Sequence, residues 1–176
     1  MMTNATISAD TGNSDGAATA VSLQFTGDLS IITNKSEVPT ISARSLGDGN
    51  AGEVQIESEN MNVMATSLDP FGDPLNVIAT VASGTGKAGN VNLSAHGVLE
   101  IHGDSEVGAF FVDTRSSSEK AGGNIIINAH SFFMEDTTIN TGGHSGPSGN
   151  VSISAVNLDS TFSAITAEAF FSKAGG

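Results

Sequence analysis

The chain has 176 residues, 38% of them apolar, and its 19 Asp and Glu against six Lys and Arg leave a formal net charge of −13. Its mean hydropathy of +0.03 is too high for a disordered polar chain, and six basic side chains cannot neutralise a row of phosphates, which argues against nucleic acid and against an anionic membrane surface. The absence of cysteine excludes a disulfide framework and a thiolate metal site.

The expected elements recur. Ala5-Thr6-Ile7-Ser8-Ala9 is followed by Ala18-Thr19-Ala20-Val21-Ser22-Leu23, whose aliphatic residues alternate with polar ones, and then by the pair Leu29 and Ile31. Pro39-Thr40-Ile41-Ser42-Ala43 repeats the first segment, Ala51-Gly52-Glu53-Val54-Gln55-Ile56 the second, and Met61 with Val63 the third. Leu68 to Leu75 carries two prolines and a glycine, which exclude a central strand and read as a projecting loop. The series resumes with Ile78, Ala88-Gly89-Asn90-Val91-Asn92-Leu93, and Leu99 with Ile101. Val112, Gly122-Gly123-Asn124-Ile125-Ile126-Ile127, and Phe132 with Met134 make the next copy. Ile139, Ser148-Gly149-Asn150-Val151-Ser152-Ile153 and Leu158 make the last, and Lys173-Ala174-Gly175-Gly176 reads as the first half of a further one.

The anchors Val21, Val54, Val91, Ile125 and Val151 lie 33, 37, 34 and 26 residues apart, whereas the interval into each anchor from Ile7, Ile41, Ile78, Val112 and Ile139 varies only from 12 to 14. Period-2 alternation after each anchor is the signature of a strand with one buried face. Three such strands per unit, held in phase across variable loops, predict an all-β, three-sided parallel β-helix of about five coils. Residues 1–176 form one such domain. A β-sandwich would not repeat one motif in fixed phase with two further strands.

The motif Gly-x-Ala-Gly-(Asn)-Val-x-Ile-x-Ala, its asparagine optional, is carried by Gly49 to Ile56, Lys87 to Ala95 and Gly122 to Ala129. It resembles the repeat region of filamentous-haemagglutinin-like exoproteins, adhesins exported by two-partner secretion. That resemblance implies a right-handed β-helix at a bacterial cell surface or in the secreted fraction, within a longer exoprotein. It also implies a structural and adhesive function without catalysis or cofactor, and a host or neighbouring-cell protein or glycan as partner. Met1-Met2-Thr3-Asn4 has neither the basic start nor the apolar stretch of a signal peptide, and no run is long enough to span a membrane.

Several residues are candidates for more than shape. Asn90, Asn124 and Asn150 share the position before the anchor and would stack as an asparagine ladder. Asp104, Asp136 and Asp159 follow the second strand; an aspartate strip is what a polysaccharide-active β-helix enzyme would need, since glycoside cleavage uses two carboxylates. Aspartate is equally an ordinary turn former. His96 and His130 follow the closing alanines but lack a convincing third metal ligand, and Gly47-Asp48-Gly49-Asn50 offers oxygens without a calcium-loop motif.

Adjacent strand residues face opposite ways, so Phe110-Phe111, Phe132-Phe133 and Phe170-Phe171 each send one ring outward. Phe111, Phe133 and Phe171 are therefore candidate contact residues, and Phe71 joins them from the projecting loop. Thr6, Thr40 and Thr138 recur at one outward position as in an ice-binding solenoid, but Val77, Phe111 and Ala164 interrupt them. An uncapped last coil would invite end-to-end association.

Overall fold

Alternation of aliphatic with polar residues, punctuated by glycine, gives strands in every repeat and no helix among the described residues. The computed structural model describes residues 1–3, 6–12, 15–33, 41–65, 77–103, 109–143 and 146–167. In chain order the strands are β1 (Met2–Thr3), β2 (Ile7–Ser8), β3 (Val21–Gln24), β4 (Leu29–Thr33), β5 (Ile41–Ser42), β6 (Val54–Ser58) and β7 (Met61–Ala65). They continue as β8 (Ile78–Ala79), β9 (Val91–His102), β10 (Ala109–Asp113), β11 (Ile125–Glu135), β12 (Thr137–Asn140), β13 (Val151–Thr161) and β14 (Ala164–Thr166).

The described strands form two parallel sheets. The larger runs β1-β4-β7-β9-β11-β13, with β3 joined to β6 and β6 to β9; the smaller runs β14-β12-β10-β8-β5-β2. Pairing follows the sequence repeat residue for residue: Val21, Val54, Val91, Ile125 and Val151 are successive partners. So are Leu29, Met61, Leu99, Phe132 and Leu158. The smaller sheet aligns Ile7, Ile41, Ile78, Val112, Ile139 and Ile165. These columns meet in one core in which Ile31, Ile56, Leu93, Leu99, Ile101, Ile127 and Ile139 are wholly inaccessible, each such side chain contributing about 1.5–3 kcal/mol on burial.

Among the described residues the first and second strands of the units share one sheet and the third strands form the other. In the early copies Phe25 to Asp28 and Glu59-Asn60 separate the first strand from the second, but in the later ones both belong to one long strand, β9, β11 or β13. Between β9 and β11 this corner carries a β-bulge, whereas β11 and β13 pass it in regular register. His96 and Gly97 of β9 together face His130 of β11. There the Gly97 and Val98 N–H groups donate to the Glu59 carbonyl and the Asn60 Oδ1, each at 2.8 Å. Among the described residues a third parallel contact runs as isolated bridges linking Thr11, Ser45, Ala82, Ser116 and Gly143.

The glycine of the repeated motif is required by close approach. A methyl group at Gly52, Gly89, Gly123 or Gly149 would fall on a backbone carbonyl of the preceding copy, that of Thr19, Gly52, Gly89 or Gly123 respectively. Each later glycine is also clamped from the smaller sheet. Thr80 Oγ1 donates to the Gly89 carbonyl and Thr114 Oγ1 to that of Gly123, both at 2.7 Å, and Thr141 Oγ1 to that of Gly149 at 3.1 Å. All three threonines are fully buried, so these bonds satisfy polar groups that water cannot reach.

Candidate functional site

The asparagine column is built by register. Asn90 Oδ1 accepts the Asn124 backbone N–H at 2.9 Å and Asn124 Oδ1 that of Asn150 at 3.0 Å. Asn90 Nδ2 donates to Glu53 Oε1 at 2.8 Å, which extends the line to the copy where glutamate replaces asparagine. The oxygens of the Gly47–Asn50 turn are used in the same way, Asp48 Oδ1 accepting from the Thr85 N–H at 3.0 Å and Asn50 Oδ1 from the Lys87 N–H at 2.9 Å.

The larger sheet has a polar outer face over its second strands. Alternation fixes which residues point there: Ser30, Asn62, Glu100, Phe133 and Asp159 form one column, and Ile32, Met64, His102, Glu135 and Thr161 the next. On this face lies an open groove of about 260 Å³ lined by Glu100, His102, Phe133, Met134, Glu135, Asp159 and Thr161. A second groove of about 370 Å³ continues it through the shared Glu100 to Asn62, Asn60 and Asp28. His102 bridges two copies, its Nδ1 3.4 Å from Glu135 and its Nε2 3.8 Å from Glu100. Asn62 Nδ2 donates to Glu100 at 3.1 Å and Asn60 Nδ2 to Asp28 at 2.8 Å. Carboxylates that accept hydroxyl or cationic donors thus surround an aromatic ring that offers an apolar face.

Of the residues singled out from sequence, Phe133 and Asp159 lie side by side in this groove. Phe132, its neighbour, is completely buried, as opposite-facing strand residues require. Asp136 does not join them. It sits at the corner after β11 with φ 50°, a left-handed conformation that aspartate tolerates better than most residues. Phe111 is the extra residue of a bulge, since Phe110 pairs with Thr138 and Val112 with Ile139. It therefore does not share the Thr138 position expected for it, and its side chain lies outside the described set. Asp104, Phe71, Phe171, Thr40 and the loop from Leu68 to Leu75 also fall outside the described residues.

Glu100, His102 and Glu135 were missed by the sequence reading. The signal was available, because each flanks an inward residue of the second strand by one position. His96 instead lies over Glu57 and Glu59, at 3.5 and 3.7 Å. Among the described residues no three His, Cys, Asp or Glu side chains converge as a metal site.

Two carboxyls stand apart from this face. Asp113 is inaccessible; burial pushes its pKa up, against the Arg115 Nε at 2.7 Å and the Asn140 amide at 3.4 Å. Burial also works upward on Asp10, but paired hydrogen bonds from the Arg44 guanidinium at 2.8 and 3.0 Å and from its backbone N–H outweigh it and hold the pKa low.

No family model, curated protein or solved structure matches the chain.

Proposed function

We propose that this chain is a segment of a right-handed, three-sided parallel β-helix of about five coils, serving as a structural and adhesive shaft in a filamentous-haemagglutinin-like exoprotein at the cell surface or in the secreted fraction. The observation that supports it is the residue-for-residue parallel pairing of four motif copies, whose asparagines and glycines stack in line. A stack of this kind places the same outer position of every copy on one face. Weak contacts repeated along that face add through effective concentration. The contact surface is the groove holding Phe133, Glu135 and Asp159, and its chemistry suits a glycan, with ring stacking on Phe133 and hydroxyl donation to the carboxylates.

The same groove is what favours a second, polysaccharide-active reading. A panel of immobilised oligosaccharides separates the two. The adhesive reading expects retention of the chain, weakened by Phe133→Ala and by Glu135→Gln, with no release of reducing ends. Retention unchanged by both substitutions would sink the groove as the contact surface, and new reducing ends would establish the enzyme.

A further inference from the structure

The two grooves on the outer face of the larger sheet carry one sign of fixed charge. Asp28, Glu100, Glu135 and Asp159 line them, and among the described residues neither a lysine nor an arginine does. The two glutamates are only half engaged. His102 and Asn62 both approach the same oxygen of Glu100, Oε2, and His102 approaches Oε2 of Glu135. The Oε1 atom of each glutamate has no partner among the described residues, and their side chains are 41% and 55% exposed, which leaves those oxygens open to a ligand. Register arranges the acids around one ring. Glu100, Phe133 and Asp159 follow one another in the outward column across β9, β11 and β13, and Glu135 lies two positions beyond Phe133 on the same face. Paired strands lie about 4.8 Å apart, so a carboxylate-bearing residue flanks Phe133 on either side at that spacing.

We propose that the ligand of this face is a cationic glycan, a chain of hexosamines with free amino groups that lies along the stack and seats one ammonium over Phe133 between Glu100 and Asp159. A neutral sugar can stack on the ring and donate hydroxyls to the carboxylates, but it leaves their charge unopposed. An ammonium answers both features at once, since the face of an aromatic ring attracts a cation and the surrounding carboxylates attract it further. A carboxylated or sulfated sugar is repelled by the same groups, and the chain's net charge of −13 adds to that repulsion. The strand spacing is close to the length of one sugar in an extended β-1,4-linked chain, so successive sugars meet successive strands. Beyond Glu100 the second groove continues the row of acceptors to Asn62 and Asp28. The inference rests on the adhesive reading and adds to it the charge class of the glycan.

Calorimetric titration of the full chain with three oligosaccharides of equal length tests it: glucosamine oligomers with free amines, the same oligomers N-acetylated, and uronic-acid oligomers, all at mildly acidic pH where the amines are charged. The free-amine oligomer is expected to bind at least about tenfold more tightly than its acetylated form, and the uronate not at all. Glu100→Gln keeps the shape and removes one charge, so it should weaken the free-amine oligomer about threefold or more and leave the acetylated one unchanged. Asp15→Asn removes the same charge in the first copy, away from the groove, and should change neither. Equal affinity for the free-amine and acetylated oligomers, or tighter binding of the uronate, overturns the charge class while leaving the groove as a glycan site. An equal loss in Asp15→Asn reduces the effect to the overall charge of the chain and overturns it as well. So does a lysine oligomer that binds as tightly with the same dependence on Glu100, because the partner is then a peptide. Binding of none of the three sugars refutes the adhesive groove itself, and the cationic glycan falls with it.

Discussion

Replacing Thr114 by valine isolates one buried hydrogen bond from the packing around it. Thr114 is fully buried, its Oγ1 donates to the Gly123 carbonyl at 2.7 Å, and its own N–H and carbonyl are engaged separately with Asn140 and Gly123. Valine keeps the branched shape and the backbone bonds, so the change removes a hydroxyl donor and leaves the Gly123 carbonyl one donor short. Losing such a bond costs about 1–2 kcal/mol, which in a chain of this length lowers Tm by about 2–8 °C. Thr80→Val should cost the same, because its bond to the Gly89 carbonyl has the same length. Thermal and urea unfolding followed by circular dichroism measure both. If Thr114→Val leaves Tm and the urea midpoint untouched while Thr114→Ala lowers them, the threonine acts through its methyl group and the clamp argument is wrong.

Two further outcomes follow from burial. Asp113 has a folded pKa above its ordinary 3.8, so its protonated form favours the native state. That contribution is complete below pH 3.8 and is lost as pH rises through the folded value; Asp10, held low, contributes with the opposite sign and loses its share as pH falls below 3.8. Asp113→Asn should therefore remove the decline in urea midpoint toward neutral pH and leave the acid limb in place; an unchanged pH profile would count against it. Ile127 and Ile153 are partners in one column, the first wholly buried and the second only partly. Ile127→Ala should cost about 2–5 kcal/mol and Ile153→Ala clearly less by the same unfolding measurement, and equal costs would show that the last layer is as well covered as the middle.

How much was legible beforehand depends on whether a signal is periodic. Val54, Val91, Ile125 and Val151 were aligned from sequence and the structure pairs them without a slip, because a one-residue shift would turn every aliphatic side chain out of the core. Phe111 was misplaced because a bulge adds one residue without changing the hydrophobic pattern. Asp136 and Asp159 looked alike in sequence, both shortly after the second strand, yet one occupies a left-handed corner and the other a strand position in the groove.

Sequence by itself determined the repeat, its register and the inward columns, since these rest on local alternation and on glycine where backbones touch. Only tertiary structure decided that the first and second strands share one sheet, because β6 and β7, separate in the chain, both pair with the continuous strand β9. It also decided that Glu100, His102, Phe133, Glu135 and Asp159 share a groove. These residues come from three separate strands up to 59 positions apart, and their meeting depends on the stacking of strands rather than on any spacing within one of them.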